Sequence, residues 1–446
     1  MNVRMGKRSP GSAAPALVLV AFSVMASPAL AQSDPAAASG QDAGSGQAKN
    51  TVEIHGFLLG AGALRTTGER PAGGEGGDVV LGETRLRLDV GAKAASGNIT
   101  ILVKGDVLYD VVTRTFAGDL REGYAGIGGG SADLRIGRQI VTWGLGDLFF
   151  INDVFPKDWD SFFSGRPMEY LKLGVDGVRG RWSSAVVSAD FLAVPVFTSD
   201  KPPSSKRFSF FVPLPGVVSQ QEIKPIANLS NTELALRVYR HVSGLDVSLY
   251  AYRGFWRSPS VRIDPSLTPT SVTRFYPELA VYGASVQRGL PDGVLSAEVG
   301  YYDSRGDRGG NDPAVPNSQW RFLAGYQFQP WRDGTVGVQT YGEVMKDIRA
   351  YRRSVPAGSL FQDRVRGVLS VRLTQMLRYQ IWRPSVFVAY SPTDRDFFLR
   401  PELGYKLTEN LSVTFGANRF GGATATTFFG QFKKDNNLFL TVRFDF

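Results

Sequence analysis

The sequence predicts an all-β protein: a transmembrane antiparallel up-and-down β-barrel of about 18 strands, or alternatively 16, that follows a cleaved signal peptide. Three observations predict this fold. Segments of roughly 10–14 residues alternate apolar and polar side chains. Long and short connections between these segments alternate along the chain. Aromatic residues make up 12% of the chain, yet its mean hydropathy is only −0.10, as expected when every second strand residue meets lipid.

The N-terminal residues predict export. Arg4, Lys7 and Arg8 form a basic start, and an apolar run over 16–25 follows that is too short to span a bilayer. Residues 29–31, Ala-Leu-Ala, have the small-x-small form of a cleavage site. We therefore expect three parts: a signal peptide over 1–31, a flexible periplasmic leader over 32–50 and an outer-membrane barrel over 51–446.

Composition excludes several classes of function. The chain has no cysteine, and removal of 1–31 leaves 47 basic and 41 acidic residues without a Lys/Arg block, so we expect neither disulfides nor nucleic-acid binding. No run of about 18 apolar residues predicts a membrane-spanning helix. The two histidines, His55 and His241, lie in no nucleophile–base motif. We expect no enzyme, and hence no catalytic residue, metal or cofactor.

The predicted strands alternate clearly in period two. In the second, Glu83, Arg85, Arg87 and Asp89 face one way and leucines and valines face the other. The strands are predicted near 51–65, 80–93, 98–111, 117–128, 132–141, 168–181, 183–195, 231–241, 244–256, 276–288, 293–304, 318–330, 334–346, 361–374, 378–390, 396–407, 410–419 and 436–446. The alternative of 16 applies if 117–128 and 410–419 are not strands. Strands of about 11 residues fit a tilted membrane crossing better than a soluble sandwich.

The connections alternate between long loops and tight turns. Only 112–116 and 391–395 are short where a long loop is expected. This pattern predicts loops on one side of a membrane, turns on the other, and both termini in the periplasm.

The last strand carries an apolar stripe that closes the chain. Thr441, Arg443 and Asp445 face away from it. The stripe, interpreted as an assembly signal for the barrel-assembly machinery, is Leu438, Leu440, Val442, Phe444 and Phe446.

If the apolar faces meet lipid, the charged faces line the lumen, because an arginine on the lipid face costs about 2–4 kcal/mol at the midplane. The predicted pore-lining residues are Glu83, Arg85, Arg87, Asp89, Lys104, Asp106, Asp133, Arg135, Glu233, Arg237, Arg364, Arg366, Arg372, Arg400, Glu402 and Lys406. The basic members favour anionic solutes; the alternative is that the charges pair across strands.

Two long loops are candidates to enter the lumen. The loop over 142–167 supplies four constriction candidates, whose carboxylates could face the basic wall: Trp143, Asp147, Asp153 and Asp158. The alternative is an outer loop packed on itself. Arg138 has lipid-side parity, which predicts a bulge or the end of a strand there. The Pro- and Phe-rich loop over 196–230 is the other candidate, as a lid or plug.

The Gly137-Arg138-Gln139 strand, the charged lumen, the strand count and the C-terminal stripe resemble the Gram-negative outer-membrane porin superfamily. They are similar in particular to alginate-export-type β-barrels, whose members carry a Gly-Arg-Gln strand and a strongly basic lumen. The run from Trp143 to Asp158 departs from what that subfamily implies.

The sequence thus predicts a porin-like channel in the cell outer membrane for diffusion of small polar solutes, with anionic solutes as a further expectation. Its expected partners are outer-membrane lipid and lipopolysaccharide, the barrel-assembly machinery and a small-molecule solute, with a homotrimer as one possible assembly. The alternative is a scaffold or export-conduit barrel that works with a periplasmic partner. Uptake of hydrophobic molecules ranks lower, because the leader is too short and polar for a hatch.

Overall fold

A computed structural model describes residues 49–71, 77–209, 219–263, 271–356 and 361–446. The predicted signal peptide and leader residues 32–48 lie outside the described residues. No helix among the described ranges is long and apolar enough to cross a membrane.

The described residues contain 21 strands. In chain order they are β1 (Thr51–Arg65), β2 (Val79–Lys93), β3 (Ile99–Asp110), β4 (Thr115–Gly129), β5 (Ala132–Gln139), β6 (Val175–Ser183), β7 (Ser188–Val194), β8 (Ser219–Ile223), β9 (Glu233–Val242), β10 (Leu245–Phe255), β11 (Ser260–Ile263), β12 (Ser271–Phe275), β13 (Glu278–Leu290), β14 (Gly293–Ser304), β15 (Gln319–Phe328), β16 (Gly334–Met345), β17 (Val365–Gln375), β18 (Trp382–Ser391), β19 (Asp396–Lys406), β20 (Leu411–Gly422) and β21 (Asn437–Asp445). The helices are α1 (Trp159–Ser164), α2 (Ile348–Ser354) and two 3-10 turns, Met168–Leu171 and Gly430–Phe432.

Eighteen of these strands form one closed antiparallel ring. Each ring strand pairs with the strands before and after it, and β1 pairs with both β2 and β21, which closes the sheet. Strands β8, β11 and β12 form a separate small sheet in the long connections. Because closure removes both sheet edges, every ring strand has two neighbours for its backbone hydrogen bonds.

The two faces of the ring differ in polarity. In β2, Glu83, Arg85 and Arg87 point inward and are 4–5% exposed, whereas Leu86 and Leu88 point outward and are 37% and 44% exposed. The C-terminal stripe also points outward, and its five members are 39–50% exposed. A polar interior and an apolar exterior are what a barrel in lipid requires.

The predicted strand count of 18 is confirmed, since the uncertain segments near 117–128 and 410–419 are β4 and β20. The predicted strand over 168–181 is wrong in its first part. Residues 168–171 form a 3-10 turn inside the ring, and β6 begins only at Val175. The small sheet of β8, β11 and β12 was missed, because its strands are only four or five residues long.

The outward face can be tested with arginine substitutions on β17. Val371 points outward near the middle of the strand and is 37% exposed, whereas Thr374 points inward and is partly exposed. Val371→Arg should destabilise the barrel in lipid vesicles and lower its free energy of unfolding by roughly 2 kcal/mol, because it places a charge in hydrocarbon. Thr374→Arg should change it little. Equal effects of the two substitutions, measured by guanidinium titration in vesicles, would contradict the assignment of the faces.

Candidate functional site: a segment inside the ring

Residues 140–174, called here the inner segment, lie inside the ring. The segment leaves the end of β5 and contacts inward side chains of β7, β14, β16 and β17. It continues past β19, β20, β21 and β2, contacts β4, and enters β6. A segment that touches inward residues on opposite sides of a closed ring must cross the enclosed space, so the inner segment narrows the lumen.

The start of the inner segment depends on glycine. Gly137 has φ +130°, and a Cβ there would lie 2.2 Å from the Gly123 carbonyl oxygen of β4, so no other residue fits this close pairing. Arg138 points outward, as its parity predicts, and donates to both carboxylate oxygens of Asp176 on β6 at 2.9 and 2.6 Å. The strand ends one residue later at Gln139, so a strand end rather than a bulge explains this position.

Glu298 of β14 holds the first turn of the inner segment against the wall. Its carboxylate accepts from the backbone N–H of Leu145 at 2.8 Å and of Asn152 at 2.7 Å, and from the Asn152 side-chain amide at 2.8 Å. Gly144 has φ +79°, and a Cβ there would lie 2.7 Å from Glu298 Oε1. The carboxylate and the glycine together fix where residues 145–152 lie.

Asp147, at the tip of this turn, faces the wall. Its backbone N–H donates to Gln339 of β16 at 3.0 Å, and its carboxylate accepts from Arg372 of β17. The side chains of Asp147 and Arg372 are 36% and 33% exposed, respectively. This ion pair therefore borders open space inside the ring, and it joins one predicted constriction residue to one predicted pore-lining residue.

The far part of the inner segment is anchored by a buried network of charges. Arg166 donates to Glu83 of β2 at 2.9 Å and to Asp160 of α1 at 3.2 Å. Arg85 joins Glu83 to Asp106 of β3 at 2.8 and 2.5 Å. All five side chains are at most 5% exposed. Buried charges are tolerated only when they are paired in this way, so the network fixes the segment to β2 and β3.

The loop over 196–230 joins the same network. Arg207 pairs with Asp110 of β3 and with Asp160 at 3.3 Å, and Phe208 beside it is 1% exposed. Residues 207 and 208 of this loop are thus buried, whereas residues 219–230 are mostly exposed, and a role as a lid or plug stays a prediction. Residues 210–218, which carry the remaining predicted aromatics and prolines, lie outside the described residues.

Several ionisable groups of the inner segment have perturbed pKa values, Asp160 and Lys157 among them. Burial acts to raise the pKa of Asp160, but the guanidinium groups of Arg166 and Arg207 outweigh it and hold this pKa below its usual value. Burial lowers the pKa of Lys157, although the adjacent Asp153 carboxylate opposes this effect. Both perturbations arise from packing of the segment on itself and on the wall.

Three of the four constriction candidates have buried side chains, although Asp153 is among the residues that line the cavity described below. Trp143 is 3% exposed and donates to Asp190 of β7 at 3.1 Å. Asp153 pairs with Lys157 and Lys172, both in the inner segment, and Asp158 caps α1 and pairs with Lys201. The expectation that Asp153 and Asp158 face the basic wall is wrong, because local cations neutralise them.

The predicted pore-lining residues fall into distinct environments. Five are buried under the inner segment or against it: Glu83, Arg85, Arg87, Asp106 and Arg400. Glu233 is 1% exposed and pairs with Arg257. The inward residues with partial or full exposure are Asp89, Lys104, Asp133, Arg135, Arg237, Arg366, Arg372, Glu402 and Lys406. Arg364 is predicted to lie in a strand, but it precedes β17 and lies exposed at the rim.

Most inward charges pair with a neighbour, as the alternative interpretation of the charged wall expects. Lys104 contacts Glu122, and Asp133 contacts both Arg135 and Arg181. Arg366 contacts Asp394, and Arg400 contacts Glu402. Arg237 differs: among the described residues it bonds Ser248 and lies over Tyr239 and Tyr250 without an acidic partner.

A cavity of about 450 Å³ lies between the inner segment and the wall formed by β10 and β13–β19. Aromatic rings form much of its lining, with Arg257, Arg321, Arg366 and Glu343 among them. Of the lining residues, Arg366 is predicted by sequence alternation to face inward, but alternation gives no signal for the contribution of Phe149, Phe150 and Trp159, which belong to the inner segment.

The closed ring of 18 antiparallel strands, apolar outside and crossed inside by a connecting segment, is a porin-type β-barrel fold. No family model matches the sequence, and no curated protein matches it.

Solved structures match the fold over most of their length. Pseudomonas aeruginosa OccK2 (OpdF), solved in complex with glucuronate, is 11% identical with a TM-score of 0.55, over 88% of this chain and 97% of that one. Acinetobacter baumannii OccAB4 is 11% identical with a TM-score of 0.53, over 90% and 98%. Pseudomonas aeruginosa OccD3 (OpdP) is 10% identical with a TM-score of 0.54, over 90% and 94%. The porin-type fold is thereby confirmed, whereas the similarity to alginate-export barrels stays a prediction.

Proposed function

We propose that this protein is an outer-membrane channel through which small polar solutes diffuse. The observation that carries the proposal is the partly exposed Asp147–Arg372 pair, which spans from the inner segment to the wall of a ring that is apolar outside. A polar constriction in a water-filled lumen selects solutes by size and charge. Solutes would enter through the cavity between the inner segment and the wall and leave past this pair.

The proposed orientation places both termini in the periplasm and the long loops outside the cell. It is supported by the tight turns, which lie at the same end of the ring as residues 51 and 445. The outward stripe from Leu438 to Phe446 would serve as the assembly signal for the barrel-assembly machinery. Whether three copies associate remains a prediction.

We further propose that anionic solutes are among those conducted. The support is limited to particular residues: Arg237 has no acidic partner among the described residues, and Arg372 is matched only by the constriction carboxylate. The ligand of OccK2 in its solved complex is glucuronate, a carboxylate, and sugar acids are therefore sensible first test solutes. The export-conduit alternative needs a wide lumen, which the inner segment opposes.

Planar-bilayer recordings test the channel directly. The purified protein should give steady ohmic steps, and a protein that inserts without conducting would refute the proposal. In a salt gradient, Arg372→Ala should shift the reversal potential towards cation selectivity, and Asp147→Asn should shift it towards anion selectivity. An ion about 4 Å from a unit charge in water gains about 1 kcal/mol, so each permeability ratio should change by up to about fivefold.

Arg332→Ala is the control for these recordings, because Arg332 lies in a tight turn at the rim with its side chain 95% exposed. It should leave the permeability ratio nearly unchanged. A shift in the same direction for Arg372→Ala and Asp147→Asn would show that this pair does not border the conducting path.

A further inference from the structure

The connection between β16 and β17 carries an unbalanced group of cations. Residues 346–364 contain five basic and two acidic residues. The basic residues are all exposed, and the described residues provide no acidic partner for any of them: Lys346, Arg349, Arg352, Arg353 and Arg364. Other exposed arginines of the connections at this end do find carboxylates, such as Arg262 with Asp312 and Arg308 with Asp303.

Four of these cations surround one cleft. Lys346, Arg349, Arg353 and Arg364 line a space of about 760 Å³ beside α2. The same cleft is lined by Trp320 of β15, Val344 of β16 and one carboxylate, that of Asp347, so that its cations outnumber its anions by four to one. Since Arg321 and Glu343 point into the lumen, their neighbours Trp320 and Val344 point outward. The cleft therefore opens on the outside of the ring and not on the proposed solute path.

An outward aromatic group lies directly below the cations. Trp320 packs on Tyr301 with ring centroids 4.8 Å apart and on Phe322 with centroids 6.2 Å apart. Lys346 Nζ lies 5.9 Å from the centre of the Tyr301 ring. Aromatic side chains at this position of a barrel mark the boundary between hydrocarbon and head groups. The unpaired cations thus lie at head-group level, immediately above an apolar surface.

We propose that this cleft binds the phosphate groups of lipopolysaccharide, with the acyl chains of the lipid lying along Trp320 and Phe322. The inference rests on the proposed function, which puts the long loops on the outer side of the membrane. Phosphate is the ligand that a cluster of arginines recognises best, because each guanidinium can donate two parallel hydrogen bonds. A small soluble anion would use the cations but would leave the adjoining aromatic surface without a role.

Binding of purified bisphosphorylated lipid A in detergent tests the proposal. The variant Lys346→Ala/Arg349→Ala/Arg353→Ala should bind at least tenfold more weakly than the unchanged protein. The matched control is Arg240→Ala/Arg288→Ala/Arg332→Ala, which removes three exposed arginines from the opposite end of the ring and should bind normally. Heat-modifiable migration on gels confirms that each variant is folded.

The controls on the ligand separate a lipid site from an ion site. Lipid A stripped of its phosphates should bind at least tenfold more weakly to the unchanged protein, and millimolar inorganic phosphate should displace little of the bisphosphorylated form. Equal binding by the two triple variants, or by the two forms of lipid A, would overturn the proposal. Full displacement by inorganic phosphate would also overturn it, in favour of an ion site.

Failure of this inference is distinguishable from failure of the channel. Conductance is measured in bilayers free of lipopolysaccharide, where the variant at residues 346, 349 and 353 should conduct like the unchanged protein. If the two triple variants bind lipid A equally and the protein conducts normally, only the proposed lipid site is refuted. If lipid A binding depends on residues 346, 349 and 353 but the protein does not conduct, only the proposed channel is refuted.

Discussion

Arg166→Met is expected to detach the far part of the inner segment from the wall. The guanidinium group joins Glu83 of β2 to Asp160 of α1, and all three side chains are at most 5% exposed. Removal of one member of a buried ion pair typically costs about 3–5 kcal/mol, because the other charge is left in a low dielectric. We expect about 3 kcal/mol, since Glu83 keeps Arg85 and Asp160 keeps Arg207.

This loss should appear locally and not as unfolding of the ring, whose strands keep all their backbone partners. Single-channel recordings should show larger and noisier conductance, and hydrogen exchange should accelerate over residues 159–171. Arg443→Met is the matched control, because its partner Glu169 also lies in the inner segment but both side chains are 33–37% exposed. A partly exposed ion pair contributes at most about 1 kcal/mol, so Arg443→Met should leave the conductance, its noise and the hydrogen exchange nearly unchanged. Equal noise in both variants would contradict the anchoring role.

The ring could be predicted from the sequence because the alternation of apolar and polar residues along each strand shows which side chains face lipid and which face the lumen. A strand between lipid and lumen must alternate, and an arginine on the wrong face is costly, so parity alone places Glu83, Arg85 and Arg87 inward. The alternation of long and short connections then indicated an even number of strands, about 18, with 16 as the alternative. Both signals are local, and neither requires knowledge of which residues meet across the barrel.

The interior could not be predicted in the same way. Parity shows that Arg372 and Glu83 face inward, but it does not show that one borders open space while the other is covered by Arg166. That difference depends on the path of residues 140–174, which have no periodic pattern. Because this path could not be predicted, Asp153 and Asp158 were expected to face the basic wall. In the structure, Lys157 and Lys172 pair with Asp153, and Lys201 pairs with Asp158.

Glycine was the one available signal for this path. Gly137, Gly144 and Gly165 all have positive φ, at +130°, +79° and +92°. They stand where the segment leaves β5, where it meets Glu298, and where it packs against Phe439 of β21. Gly137 lies just before the connection, and Gly144 and Gly165 lie within it; such glycines mark places where a segment is held closely by its surroundings.

Glu298→Ala is expected to release the first turn of the inner segment, which carries the constriction carboxylate. The 4%-exposed Glu298 side chain accepts three hydrogen bonds, two of them from the backbone N–H groups of Leu145 and Asn152. A buried N–H left without an acceptor costs about 1–3 kcal/mol, so the turn should lose about 2–6 kcal/mol of its attachment to the wall. Because Asp147 lies two residues after Leu145, its pairing with Arg372 should be lost as well.

Hydrogen exchange over residues 145–152, together with the reversal potential, measures this effect. Exchange should accelerate strongly, and the channel should show the anion-directed shift expected of Asp147→Asn although Asp147 itself is unchanged. Glu298→Gln keeps one acceptor oxygen and should give an intermediate result. Ser296→Ala is the control: it removes an inward hydroxyl from the same strand that donates to the Gly325 carbonyl at 3.3 Å. It should change neither the exchange rate over residues 145–152 nor the reversal potential. Rapid exchange with an unchanged reversal potential would show that the position of residues 145–152 does not determine ion selectivity. The constriction would then have to lie elsewhere along the inner segment.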